Sequence, residues 1–196
     1  MRPIVHITWE YSPYVVGALS QELRLILPPL AREVPLLLVV KGDADGVSVI
    51  DGIRTYNVGQ SVRTSPHVLI YSHVLNLDLV RGASNAVYEA GGASLFHSHD
   101  WLSSLAGVYL ASHFEVPLIV SVYSTEITRA HAITSLLNMG IYDVERHCFQ
   151  RAEALVVANE EMRHHLTKDY GVDAGKISVL KGTPEDLLGF YRRWVR

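Results

Sequence analysis

Cysteine is almost missing from this chain. Cys148 is the only one in 196 residues, which excludes an intrachain disulfide and fits a reducing compartment. On a helix such a lone thiol is expected to be buried as a small hydrophobe. Long apolar runs are missing too: nothing approaches the ~18 uninterrupted residues of a membrane-spanning helix. The opening MRPIVHITWE enters a strand at once and has none of the basic region, apolar core and small-residue cleavage site of a secretory signal, so a cytoplasmic location is expected. Positive charge is sparse. The formal net charge is −3, and of 17 basic residues four are lysine (Lys41, Lys168, Lys176, Lys181). With no basic run before the last few residues, a nucleic-acid partner is not expected, because duplex affinity comes from clustered Lys and Arg meeting phosphates. What remains is 48% hydrophobic and 19% charged, the composition of a soluble globular chain with one substantial core.

The apolar segments alternate between two periods. Residues 3–8 (PIVHIT), 34–40, 93–99, 118–122, 153–158 and 176–180 are short runs of the kind that form strands buried on both faces. Between them lie segments with helical spacing: residues 17–27, where Leu19, Leu23, Ile26 and Leu27 recur at three and four, then 68–90, 101–115, 127–150 and 160–168. Pro28-Pro29 should stop or bend the first helix. Gly82 and Gly140 are expected to interrupt the second and fourth of these segments. Residues 47–50 and 53–58, separated by Asp51-Gly52, predict a β-hairpin. The order is α/β throughout: a single Rossmann-like, doubly wound, mainly parallel sheet over residues 1–183. Residues 184–196 are expected to form a separate terminal helix.

The chemistry gathers in the stretch from Ala93 to Arg129. A strand ending in His97-Ser98-His99-Asp100, a helix, and a strand ending in Tyr123-Ser124-Thr125-Glu126 form a right-handed crossover, which brings both polar clusters to one edge of the sheet. Open parallel sheets bind ligands beyond the carboxyl ends of their strands. His97 and His99 are expected on opposite sides of their strand, His97 structural and His99 facing the crevice. Asp100 reads as the cap of the helix starting at Trp101, and Ser124-Thr125-Glu126 as a helix start with an acid in the first turn. His-x-His-Asp is also similar to a metallohydrolase pattern. That reading would use His97, His99 and Asp100, with Glu126 and His131 the nearby candidates for further ligands. No tight second ligand pair is present, so no metal is expected.

His97-Ser98-His99-Asp100-Trp101 after a buried strand, with Ser124-Thr125-Glu126 after the next, resembles the N-terminal, acceptor-side half of glycogen and starch synthase-type glycosyltransferases of the GT-B fold. The resemblance implies transfer of glucose, with retention and without an obligatory metal, from a nucleotide sugar such as ADP-glucose or UDP-glucose to an α-glucan acceptor. It implies a catalytic hydrogen bond from His99 to the transferring glucosyl unit, and acceptor contacts from Asp100, Tyr123, Ser124, Thr125 and Glu126, with Tyr123 where the family usually has histidine. It places Gly17 and Ala18 in the loop that meets the substrate at the first helix. Ala18 replaces a family glycine and Val15 a frequent lysine, and both changes count against phosphate contact there. Asn159 and Lys181 also depart from the family's serine and asparagine. The nucleotide, and the E-x7-E motif that Glu153 and Glu161 only imitate, belong to a second domain, so the chain by itself is expected to be inactive. A non-catalytic carbohydrate-binding or partner-binding module is the other reading.

Beyond Gly182 the resemblance ends. Pro184, Glu185 and Asp186 have the composition of a helix start, and Leu187, Leu188, Tyr191, Trp194 and Val195 gather on one face with Arg192, Arg193 and Arg196 beside it. This helix is expected to fold back on its own domain or to dock on a partner chain, a second copy included.

Overall fold

The apolar runs pair edge to edge because each carries β-branched and aliphatic residues on both faces and can be buried only inside a sheet. The computed structural model describes residues 1–13 and 17–195. Among these, eight strands form one sheet: β1 (Ile4–Thr8), β2 (Leu36–Gly42), β3 (Gly46–Ile50), β4 (Ile53–Gly59), β5 (Leu95–His99), β6 (Leu118–Ser121), β7 (Ala154–Val157) and β8 (Ile177–Val179). Their order is β3-β4-β2-β1-β5-β6-β7-β8. Every pairing is parallel except the β3–β4 hairpin. Asp51 and Gly52 turn that hairpin with φ of 52° and 82°, the backbone twist a two-residue hairpin needs. The chain moves outward from β1 in one direction through β2 and β4, then returns to start β5 on the other side of β1. That reversal opens a crevice at the carboxyl ends of β1 and β5.

Two layers of helices cover the sheet. On one face α2 (Val68–Glu89), α3 (Trp101–Phe114), α5 (Leu136–Arg151) and α6 (Glu160–Asp169) bury Val5, Ile7, Phe96 and Val120. On the other α1 (Ala18–Glu33) and α7 (Pro184–Tyr191) bury Ile4, Leu36, Leu38 and Ile119. Cys148 lies in the first layer with no exposure, and burial pushes its thiol up to about 12. Among the described residues no helix is long and apolar enough to cross a membrane.

Three expected interruptions fall elsewhere. Helix α1 runs through Pro28 and Pro29 to Glu33; the carbonyls the prolines leave free belong to Arg24 and Leu25, both exposed residues, so water can replace the lost bonds. Gly140 sits inside α5, and the break comes instead before it, between α4 (Glu126–Ala130) and the Ser135 cap, with His131 at φ 60°. Gly82 lies inside an unbroken α2. It is there for close approach, since a Cβ would come within 2.2 Å of Val58 Cγ2 on β4. Gly82→Ala should therefore cost about 1–3 kcal/mol, and adding Val58→Ala should recover part of it. A urea titration of the two single variants and the double variant checks this, and strictly additive losses would contradict the packing explanation.

Helix α7 begins with Thr183 accepting from the Asp186 amide at 3.2 Å, with Pro184 in the first turn. Leu187, Phe190 and Tyr191 are buried against α1 and the sheet. Phe190, which the apolar spacing had left off the buried face, is 2% exposed. Removing a buried phenyl ring costs about 3–5 kcal/mol, a large part of a domain's ~5–15 kcal/mol. Phe190→Ala should therefore lower the urea midpoint sharply. An unchanged midpoint would mean that α7 does not pack as described.

Candidate functional site

The crevice above β1 and β5 is a cavity of about 500 Å3 lined by Trp9, Glu10, Glu22, His99, Asp100, Ser121, Tyr123 and Lys181, among others. Its rim is acidic: three carboxylates face one lysine. Burial raises the Glu22 carboxyl above its ordinary value and raises Asp100 to about 6. Asp100 has φ 65° and its carboxylate accepts from the Trp101 amide at 2.7 Å. A non-glycine residue in that conformation costs roughly 1–3 kcal/mol and tends to mark a working site.

Behind His99 the β strands carry a line of polar groups that the sequence did not reveal as a unit. His97 and His99 are on the same side of β5, correcting the expectation that they diverge: residues two apart on a pleated strand share a face. Ser98 points the other way, toward Gly107 of α3. His6 is paired in register with His97 across the β1–β5 ladder and brings a third imidazole alongside. All three rings are buried. Tyr123 Oη lies 3.1 Å from His99 Nδ1, and His99 Nε2 lies 2.8 Å from His6 Nδ1. His6 Nε2 lies 3.3 Å from Tyr191 Oη, Tyr191 is hydrogen-bonded to His97 Nδ1, and His97 Nε2 lies 2.8 Å from Ser121 Oγ. Six groups thus form one chain from Tyr123 to Ser121, and the hydroxyls at its two ends lie close to each other as well. Both nitrogens of His99 are spent inside it, and its two ends, the hydroxyls of Tyr123 and Ser121, belong to residues that line the crevice. Desolvation holds His6 and His97 well below the ordinary imidazole value and His99 at about 3, so all three are neutral.

A nitrogen from each histidine lies within 4.8 Å of the others. The His6 and His99 rings, however, are within 13° of parallel and face each other nitrogen to nitrogen. A tetrahedral zinc would hold its nitrogens about 3.3 Å apart with lone pairs converging on one point. The arrangement is that of a hydrogen-bond chain. Asp100, the third ligand of the metallohydrolase reading, is instead committed to the start of α3.

The next polar cluster turns inward. Thr125 is wholly buried and caps α4, with His165 Nε2 2.8 Å from its hydroxyl and Asp169 2.7 Å from His165 Nδ1. Ser124 accepts from Arg129 at 2.9 Å. Glu126 accepts from Asn138 at 2.6 Å and from Arg129 at 3.0 Å, while its amide donates to both oxygens of the fully buried Glu145. Arg129 and the Tyr170 hydroxyl complete the shell of Glu145. These residues fix the turn after Tyr123, and their side chains do not line the crevice.

At α1 the chain fills its own anion site. The Glu10 carboxylate accepts from the Ser20 amide at 3.1 Å, and a Cβ at Gly17 would come within 2.2 Å of Glu10 Oε1. Gly17 is thus needed for the approach of a carboxylate, which takes the place at the helix N-terminus that a phosphate could occupy. Ala18 lines the crevice; Val15 lies outside the described residues. Glu10 carried no signal in the sequence, since its partner is a backbone amide ten residues on.

Burying neutral imidazoles makes the fold acid-sensitive. The unfolded chain binds protons at His6, His97 and His99 below the ordinary value of about 6.5, and the folded one does not, so stability falls as pH drops through that range. Asp100, raised in the fold, opposes this with one proton between about 6 and 4, and Glu22 and Glu145 act in the same opposing sense. The balance is a loss of at most roughly 3 kcal/mol per pH unit from about pH 6 to 4. Urea midpoints at pH 7, 6 and 5 should fall in that order, and a flat series would mean that the imidazoles are charged in the fold.

Comparison with known proteins bears on the same region. The glycosyl transferase 4-like domain matches residues 14–182. Glycogen synthase of Mycobacterium tuberculosis is 22% identical over 201 residues, covering 91% of this chain and 47% of that protein. An uncharacterized glycosyltransferase of Methanocaldococcus jannaschii is 22% identical over 180 residues, covering 90% and 45%. The chain thus spans about half the length of the relatives it matches. Among solved structures, sucrose-phosphate synthase from Thermosynechococcus elongatus superposes with a TM-score of 0.72 at 16% identity, over 91% of this chain and 47% of that one. Anabaena HepE in complex with UDP and glucose superposes at 0.61 with 15% identity, over 98% and 50%. A parallel sheet with its crevice at β1 and β5, the HSHDW stretch that ends β5 and starts α3 with His99 and Asp100 lining that crevice, and a family match over most of the sequence lead to one conclusion: the chain belongs to the glycosyl transferase 4-like domain family and has the fold of one half of a GT-B glycosyltransferase.

Proposed function

We propose that this chain is the acceptor-side half of a retaining glucosyltransferase that moves glucose from a nucleotide sugar, such as ADP-glucose or UDP-glucose, to an α-glucan. The observation that carries the reading is the crevice at β1 and β5, which has the size and polarity for a sugar and is lined by His99 and Asp100 of the HSHDW stretch. Its charge fits a neutral polyhydroxylated acceptor. Glu10, Glu22 and Asp100 accept hydroxyl protons readily but repel a phosphate, and the α1 terminus that would hold one is occupied by Glu10. One lysine, Lys181, is the cation at the crevice among the described residues that line it, too little for a nucleotide diphosphate. The donor then binds on a second domain, and the chain alone leaves half the crevice open to water.

In this assignment Tyr123 meets an acceptor hydroxyl, with His99 behind it. Asp100 accepts from a second hydroxyl, and Ser124, Thr125 and Glu126 hold the turn that presents Tyr123. Ala18 touches the sugar at the crevice wall, and Gly17 admits the Glu10 carboxylate. A non-catalytic carbohydrate-binding module is the second reading. Glu10 at the α1 terminus favours it, because that contact displaces a phosphate site.

Titration of the chain with maltoheptaose, followed by amide chemical shifts, should show binding localised at β1, β5 and the Tyr123 turn. Tyr123→Phe should weaken it several-fold, the worth of one hydrogen bond to a neutral group. The chain by itself should give no transfer, and a separately expressed donor domain should restore it. There His99→Ala, which takes away the support behind Tyr123, should lower the rate by up to the roughly 10²–10³ that one transition-state contact is worth. Robust transfer by the 196-residue chain alone would overturn the half-enzyme reading, whereas sugar binding without transfer on adding the donor domain would favour the binding module.

A further inference from the structure

We infer that His6 and Tyr191, neither of which lines the crevice, are positioning residues: through the chain of hydrogen bonds they force the three buried imidazoles into one common tautomer, which decides whether Tyr123 meets its ligand as donor or as acceptor. The part concerning the ligand rests on the sugar-binding reading above; the part concerning the tautomers does not.

The protons available along the chain fix the tautomers. A neutral imidazole has one N–H and one bare nitrogen, and a hydroxyl has one proton to give. If Tyr123 donates to His99 Nδ1, then His99 carries its proton on Nε2 and gives it to His6 Nδ1. His6 then donates from Nε2 to the Tyr191 oxygen, Tyr191 donates to His97 Nδ1, and His97 donates from Nε2 to Ser121. All three histidines are protonated on Nε2, and Tyr123 shows oxygen lone pairs to the crevice. If the direction is reversed, Ser121 donates to His97 Nε2, all three are protonated on Nδ1, and Tyr123 receives from His99 and has its own proton to give, to a ligand in the crevice or to the neighbouring Ser121 oxygen. The order of partners along the chain permits no other complete pairing.

A mixed set would set two N–H groups or two lone pairs against each other between His6 and His99, or would leave at Tyr191 either its single proton without an acceptor or one of the two facing nitrogens without a donor. Each is a buried unsatisfied polar group, which is costly for side chains shut off from solvent as these are. Charging a ring to escape the conflict is resisted by the same burial. Tyr191 is therefore the hinge of the arrangement. It is the one hydroxyl between two imidazoles, it comes from α7 at the far end of the sequence, and its position is set by the apolar contacts of Leu187 and Phe190.

Histidine side-chain 15N spectra of the 196-residue chain, in which protonated and bare ring nitrogens are widely separated, test this directly. His6, His97 and His99 should all carry their proton on the same ring position, and stay neutral from pH 7 to 5. A wild-type spectrum with His97 in one tautomer and His6 in the other would overturn the inference. Tyr191→Phe keeps the buried ring and removes the link. It should change the tautomer populations of His99, which Tyr191 does not touch, whereas Phe190→Leu, which loosens the same helix but cuts no link, should leave all three as in the wild type. Ser121→Ala cuts the chain at its other end and should alter His6, two links away. Unaltered His99 in Tyr191→Phe, or unaltered His6 in Ser121→Ala, would each reduce the chain to separate local bonds and sink the proposal.

Maltoheptaose titration of Tyr191→Phe separates the two layers. Altered tautomers with several-fold weaker binding support the whole inference. Altered tautomers with wild-type binding overturn the positioning role and leave the concerted chain standing. If wild-type chain binds no maltoheptaose while the spectra behave as stated, the sugar reading fails and the tautomeric coupling does not.

Discussion

The pairing of β1 with β5 is the contact on which the rest of this structure depends. Strands far apart in sequence, Ile4–Thr8 and Leu95–His99, lie side by side in parallel. From that seam the chain winds outward in both directions, so the crevice can form only there. The same register sets His6 beside His97. A sheet covered by helices on both faces has no water for such groups, and the only way to bury them is to bond every one to another.

That requirement reaches the terminal helix. The polar chain from Tyr123 to Ser121 cannot be completed within the sheet, because His6 and His97 need a hydroxyl between them, and Tyr191 of α7 supplies it. The apolar anchoring of α7 and the polar wiring of the sheet are therefore parts of one construction. Leu187 and Phe190 provide burial energy and Tyr191 provides proton order. On the other face of the sheet Glu145 of α5 does comparable work, gathering the Glu126 amide, Arg129 and Tyr170 around one buried carboxylate. Between these two polar supports the loops bearing His99 and Tyr123 are held from behind, leaving their front to the crevice.

The corrections to the sequence reading have a common cause. Pro28-Pro29, Gly82 and Gly140 were read as punctuation because proline and glycine are intrinsically poor in helices. Each is accommodated by surroundings that the sequence does not display: exposed residues, Arg24 and Leu25, where the prolines leave carbonyls free, the Val58 side chain against Gly82, Leu69 against Gly140. Propensity is a weak term, about 1 kcal/mol for glycine, and tertiary contacts of that size or larger override it. Ser124-Thr125-Glu126 illustrates the same limit. Its capping pattern was legible because a cap is a bond between near neighbours. Its turning away from the crevice was not, because Glu145, His165 and Asn138 come from later helices.

What the sequence determined by itself is whatever depends on near neighbours. The alternation of apolar runs and helical spacing set the α/β class and the strand order in time, Asp51-Gly52 set the hairpin, and His99-Asp100-Trp101 marked the end of a strand at a crevice. These follow from periodicity and local bonding, which act over a few residues. What only the tertiary structure decided is which groups share a proton and which share a space: His6 with His99, Tyr191 with His97, Glu10 with the first turn of α1. Such partners are chosen by strand register and helix docking across as many as 185 residues, and no local pattern carries that information.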